Sequence, residues 1–247
     1  MNTLSKYILV PSLVGLVLGC LGTGCGTSTT IRPITIPVHY TGLDGTKPFT
    51  SKSGWKITLS KATVPLSFIR VHEQKEAVSK WLQYPIRLLQ PVSVAWAHAG
   101  HEGTGGVLAE LQWNKTLDLL NTEQTHLGNM QGFTGSYGEG ELTFRKTDKL
   151  SLHGQATKAG KNITFEIELP LQKQEVLGIS AQHQMDTATP MKLEIQLTKW
   201  FDLIDFSSFT KATGGQTATP DTPSSNILRK ALFSNRNYKF TWAKLNQ

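Results

Sequence analysis

Apolar residues recur at every second position through most of this chain. Ile34, Ile36, Val38 and Tyr40 alternate with Thr35, Pro37 and His39, the pattern of a half-buried strand. Pro33 and Pro37 lack the N–H that a central strand donates, which places this strand at a sheet edge. Trp55, Ile57 and Leu59 form a second set. Leu66, Phe68, Ile69 and Val71 form a third after Pro65. Val107, Ala109, Leu111 and Trp113 alternate again, followed by Leu117, Leu119 and Leu120. Runs 150–154 and 163–169 flank the turn Lys158-Ala159-Gly160-Lys161, which predicts a hairpin. Leu193, Ile195 and Leu197 lead into Trp200 and Phe201, and Tyr238, Phe240 and Trp242 make a last strand.

Other stretches interrupt this rhythm. Gly42–Gly45 reads as a turn. Residues 73–83 have the composition of a short helix that Pro85 stops. Glycines 128, 132, 135, 138 and 140 predict a loop leading into Leu142 and Phe144. Residues 210–225 are a low-complexity loop. Thr222 then reads as an N-cap with Pro223 in the first turn, and Ile227, Leu228, Ala231 and Leu232 share one helical face. Many short strands, one brief helix and no strand–helix alternation predict an all-β fold. The expected architecture is an antiparallel β-sandwich with a short C-terminal helix, and a closed β-barrel is the alternative.

The first residues have a different pattern. Lys6 precedes the apolar run Tyr7–Leu18, which ends at two small-residue cysteine sites, Gly19-Cys20 and Gly24-Cys25. A spanning helix needs roughly 20 apolar residues. This run is shorter and carries Pro11, Ser12 and Gly15. A basic start, a short apolar core and a small-residue cleavage site predict a secretory signal over residues 1–19. A cysteine at the cleavage point predicts a lipoprotein, lipidated at Cys20 with Cys25 as the alternative. Leu21 or Gly26 follows the anchor, not the aspartate associated with inner-membrane retention in enteric bacteria. The expected address is the outer membrane, through the lipid. Residues 20–30 read as a flexible tether and 31–247 as one domain.

Composition narrows the function. Apolar content of 38% and charged content of 17% fit a folded globular protein. The net charge is +7, but the basic residues are scattered and no run of five occurs, so nucleic acid is not an expected partner. The chain has two cysteines, both near the signal, so stability must come from packing without disulfides.

One segment has the residue types of a metal site. Trp96-Ala97-His98-Ala99-Gly100-His101-Glu102 places two histidines three apart among small residues. Imidazole suits copper, zinc, iron and nickel, and Glu102 can add an oxygen ligand or orient a histidine. Such a pair needs at least a third ligand. His126 is placed with His98 and His101 in the expected set, and His39, His153 and His183 are further candidates. The bland alternative is a solvated His/Gly loop. Enzyme signatures are negative. His101-Glu102 begins like a zinc-protease helix, but Gly105 stands where the second histidine belongs, and no Gly-x-Ser-x-Gly elbow occurs. Glu166 and Glu168 read as ordinary outward-facing strand residues. The aromatic set Trp55, Trp81, Trp96, Trp113 and Trp200 would serve either a core or a docking surface for an envelope protein partner.

Three segments carry a family resemblance: PITIPVHY with Gly45-Thr46-Lys47-Pro48-Phe49, GWKITLSKATVPLSFIRV at 54–71, and SNILRKALFSNRNYKFTW at 225–242. Together they resemble the MbnP-like family of exported bacterial β-sandwich lipoproteins, associated with copper operons and a di-haem enzyme partner. The resemblance implies an envelope β-rich fold and a role in copper handling. Some relatives bind copper through histidines and a modified tryptophan, which makes Trp96 beside His98 and His101 a candidate. The expectation is therefore a non-enzymatic, lipid-anchored envelope protein that binds or hands on copper or zinc. The alternative is a β-sandwich that docks an envelope partner without metal.

Overall fold

The computed structural model describes residues 31–74, 106–171, 175–211 and 217–243. The signal, the tether with Cys20 and Cys25, and almost all of the expected 73–83 helix lie outside these residues.

The architecture is an all-β sandwich built around one long strand. The strands are β1 (Pro33–Tyr40), β2 (Phe49–Thr50), β3 (Lys56–Glu73), β4 (Val107–Asp118), β5 (Thr125–Phe133), β6 (Gly135–Phe144), β7 (Lys149–Lys158), β8 (Lys161–Pro170), β9 (Glu175–Met185), β10 (Met191–Ile195), β11 (Thr210–Lys211), β12 (Ala218–Thr219) and β13 (Tyr238–Trp242). Among the described residues one α-helix, α1 (Thr222–Leu232), precedes β13. Among the described residues no helix is long and apolar enough to cross a membrane.

β3 runs for 18 residues straight through Pro65, where two separate strands are expected from the sequence. β6 and β7 lie end to end along one of its edges, pairing Leu66–Glu73 and Lys56–Thr63 in turn. β4 and β2 divide the other edge. At the far side of β4 the sheet turns a corner, because β4 and β5 pair only at Ala109–Gly132 and Glu110–Gln131. β5, β1, β10 and β13 continue from that corner as the second layer. β1 and β10 are parallel, as are β8 and β12, so the sheet is mixed where the sequence predicts antiparallel pairing throughout.

The layers meet face to face. Ile36, Val38, Val64, Ile69, Leu142, Ile179 and Leu193 are all fully buried. Gly140 on β6 lies directly under Phe240 on β13, where a Cβ would sit 2.1 Å from the ring. β13 meets β6 and β9 through side chains: Trp242 packs edge-on to Tyr137 and donates its indole N–H to the Ala181 carbonyl at 3.0 Å. The sheet therefore stays open, and the barrel alternative does not hold.

At the other end, the β3–β7–β8 layer is covered by irregular chain. Two 3₁₀ turns, Leu197–Phe201 and Phe206–Ser208, bring Phe201 and Phe206 onto Trp55 and Phe165. Such ring pairs contribute about 0.5–1.5 kcal/mol each beyond simple burial. Asp205 fixes this arrangement by accepting from the Trp55 indole at 3.2 Å and from the Ser207 amide at 3.0 Å.

Several other expectations are corrected. The glycine-rich stretch at 128–140 forms β5 and β6, not a loop, and Gly132 and Gly140 leave Ala109 and the Phe240 ring the space that a Cβ would take. β1 is an edge strand only over its two prolines; from Val38 to Tyr40 it gains β10. Leu197 begins a 3₁₀ turn instead of extending a strand. The 210–225 segment contributes β11, β12 and the start of α1. The N-cap is Asp221, whose carboxylate accepts from the Ser224 amide at 2.9 Å, so Thr222 is the first helical residue.

An ionic row crosses the outer face of β4, β3 and β6. Glu141 is nearly buried and accepts from Arg70 at 3.2 Å and from Thr143 at 2.9 Å, with the His72 Nε2 3.1 Å away. Arg70 also bonds Glu110 at 2.5 Å. Burial pushes the Glu141 carboxyl up. The bonds from His72 and Thr143 and the Arg70 charge outweigh it, and the net direction is below the ordinary value of 4.5. A carboxylate depressed in the native state stabilises it above its unfolded pKa, and that contribution is lost as pH falls through the native value.

The packing and the ionic row carry three expected outcomes. Gly140→Ala forces the Phe240 ring to move and costs about 1–3 kcal/mol in urea unfolding, part of which Phe240→Leu restores in the double variant. Glu141→Ala leaves the Arg70 and His72 side of the row without its shared acceptor and costs about 3 kcal/mol at neutral pH. Below pH 4.5, wild-type stability falls more steeply than that of Glu141→Gln, measured by urea unfolding across pH.

Candidate metal centre

Trp96, His98, His101 and Glu102 lie outside the described residues. Of the other candidates, His39 and His126 are brought together. β1 and β5 run antiparallel with an irregularity between Val38 and His39, and this register puts His39 opposite His126. Val38, Tyr40 and Leu127 point into the core, so both imidazoles stand on the outer face. Their ring centres are 5.1 Å apart and the rings are tilted by 50°. On the other side of β1, Lys192 is in register with His39.

That separation suits a shared ion. A zinc–nitrogen bond of about 2.0–2.1 Å, plus about 1.1 Å from nitrogen to ring centre, puts an ion about 3.2 Å from each centre. Centres 5.1 Å apart then subtend roughly 105° at the ion, close to the tetrahedral angle. Burial, and then the charge of a protonated His126, push the His39 pKa below its ordinary 6.5. His39 is therefore the neutral, ligating form at pH 7.

The remaining candidate histidines have other surroundings. His183 stacks on Trp242 with centres 4.9 Å apart, and burial lowers its pKa against the opposing Asp186 charge. His153 stands on β7 among carboxylates. Its Nε2 is 3.3 Å from Glu168 Oε1 and 3.7 Å from Glu166 Oε1, both on β8. One ligand atom from each of the three residues lies within 4.8 Å of the others. Ser151 donates to Glu168 at 2.5 Å. Burial works to raise the Glu168 pKa. The bonds from Ser151 and His153 and the nearby Lys61 charge reverse that, leaving it lowered.

This three-residue group is missed when the sequence is read residue by residue, although its signal is present. The Ala159-Gly160 turn has both residues at positive φ, which fixes a two-residue hairpin loop. Lys158 then faces Lys161, and counting back puts His153 opposite Glu166 and Ser151 opposite Glu168. An outward-facing hollow of about 340 Å³ adjoins the group. His153 and Glu166 line it, together with Thr58, Ser60, Gln155 and Thr164.

The aromatic candidates are mostly core. Trp55 and Trp200 are fully buried, which removes them from any docking surface. Trp113 is partly buried with the Lys115 ammonium 5.1 Å from its ring centre. Met185 and Met191 are fully buried and serve packing.

No family model matches this sequence, and no curated protein matches it. Among solved structures, the chain is similar to MbnP from Methylosinus trichosporium, at 10% identity and a TM-score of 0.44. The match covers 87% of this chain and 99% of that one. Likeness at this level transfers no ligand and no residue role.

Proposed function

We propose that this chain is a lipid-anchored envelope protein whose β-sandwich binds a transition metal through histidines. The observation that supports this reading is the His39–His126 pair, two imidazoles held across adjacent strands at a separation that suits one ion. Both belong to the set of histidines that the sequence marks as candidates. Strand backbone fixes their spacing, so an ion does not have to order a loop before binding.

Copper is the first choice of ion. Imidazole suits both copper and zinc, and copper(II) stands above zinc in intrinsic affinity for nitrogen donors. Two imidazoles leave coordination positions open, which suits an ion that is held and then passed to an envelope partner. His98 and His101 are the donors that the sequence adds to this set. Nothing in the arrangement calls for an enzymatic step, and the proposed role is carriage.

Copper titration of the purified chain tests the site. His39→Ala with His126→Ala is expected to weaken binding by about 100-fold or more, beyond the usual loss on disturbing a ligand's outer partners. His98→Ala with His101→Ala measures the share of the sequence pair. Unchanged affinity in the first double variant would remove the cross-strand pair from the site. Binding should also weaken as pH falls through the lowered His39 pKa, where protons compete with the ion for that imidazole.

The anchor has its own test. After growth with labelled palmitate, mass spectrometry of the mature N-terminal peptide should show lipid at Cys20 and loss of residues 1–19. Label kept in Cys20→Ala and lost in Cys25→Ala would move the anchor to the second thiol. An unmodified N-terminus would overturn lipidation.

A further inference from the structure

The outer face of the β7–β8 hairpin carries a donor set that the His39–His126 reading does not use. We infer that His153, Glu166 and Glu168 form a second, separate metal site, which takes a divalent ion of the zinc or manganese class. One imidazole nitrogen and two carboxylate oxygens bind it, and the remaining coordination positions open toward the hollow beside them.

Geometry is the first support. Ligands about 2.0–2.2 Å from one ion lie roughly 3–3.5 Å from each other. The His153 nitrogen is already 3.3 Å from one carboxylate oxygen and 3.7 Å from the other. The three side chains come from paired strands, with Glu166 and Glu168 two residues apart on one face. Small side-chain rotations therefore complete the site without backbone movement. They are partly open to solvent, with side-chain exposures of 29%, 45% and 33% for His153, Glu166 and Glu168, so an ion has a way in.

The neighbours support the same assignment. Ser151 donates to the Glu168 oxygen that faces His153, and so holds that carboxylate as an outer partner would. Lys61 is in register with His153 across β3 and offsets part of the local negative charge. Two carboxylates against one lysine leave an excess of negative charge beside the His153 ring, which favours a dication. One nitrogen and two oxygens form a harder set than two imidazoles. Zinc and manganese accept such a set, whereas copper(I) prefers softer ligands. The two sites therefore differ in the hardness of their donors.

The hollow gives the open positions something to face. Thr58, Ser60 and Thr164 offer hydroxyls and Gln155 an amide, around a volume of about 340 Å³. Leu59 and Phe165 complete the lining, and the hydroxyl side leaves room for water or a small carboxylate ligand on the ion. Three protein ligands with an open position is the arrangement of exchangeable metal centres, in contrast to closed structural ones.

Zinc titration by calorimetry tests the site on the full chain. A variant lacking His39, His98, His101 and His126 removes every donor of the copper reading. It is expected to keep one zinc equivalent, and adding His153→Ala, or Glu166→Gln with Glu168→Gln, should abolish that equivalent. Loss of all zinc in the four-histidine variant, with native circular dichroism, overturns this site and leaves the copper reading standing. Zinc retained after His153→Ala and after the paired glutamine changes overturns it as well. Cobalt substituted into the four-histidine variant should show a visible spectrum that shifts on adding acetate. An unshifted spectrum overturns the open positions. Failure of the copper titration alone leaves these outcomes untouched, so the two readings fall separately.

Discussion

Continuous pairing along both edges of β3 is the constraint on which the rest of this fold depends. β2, β4, β6 and β7 take their register from it directly, and β8 and β9 through one neighbour. β6 and β7 lie end to end because one long strand offers both of them a partner. A shift of one residue in β3 would turn Ile57, Leu59, Val64, Ile69 and Val71 outward and put Arg70 and His72 into the apolar layer. The ionic row and the hairpin cluster both lie on strands that β3 aligns, so their geometry depends on the same register.

Much of the strand content was legible because half-buried strands announce themselves by a period of two. The hairpin at 158–161 was the clearest case, since turn residues and alternation agree there. The glycine-rich 128–140 stretch was not legible. Glycine usually marks turns, and only the packed structure shows Phe240 occupying the space over Gly140 that a side chain would need. β9 was missed for a related reason: Gly178 and an interrupted alternation weaken its pattern, and its pairing with β6 supplies what local sequence does not. The parallel contacts of β1 and β10 were hidden because they join segments far apart in the chain.

The site residues divide along the same line. Composition marked the histidines, but it cannot say which of them meet. His39 and His126 come together through a register that includes an irregularity, which no spacing rule anticipates. His153, Glu166 and Glu168 follow from the two-residue turn by counting, and each looks like an ordinary surface residue until it is counted against its partner strand. Metal-ligating potential in a β-protein is thus better read from pairs of strands than from single stretches of sequence.

The parallel pairing of β1 with β10 also sets an order of events for the chain. β1 gains its second neighbour only once Met191–Leu193 has been made, and β10 in turn waits for β13. Contacts of such long range close slowly, because the intervening chain must lose its freedom before they form. The second layer therefore cannot be completed on a partly synthesised chain. A polypeptide wired in this way keeps its second layer incomplete until Tyr238–Trp242 is available to pair with β10.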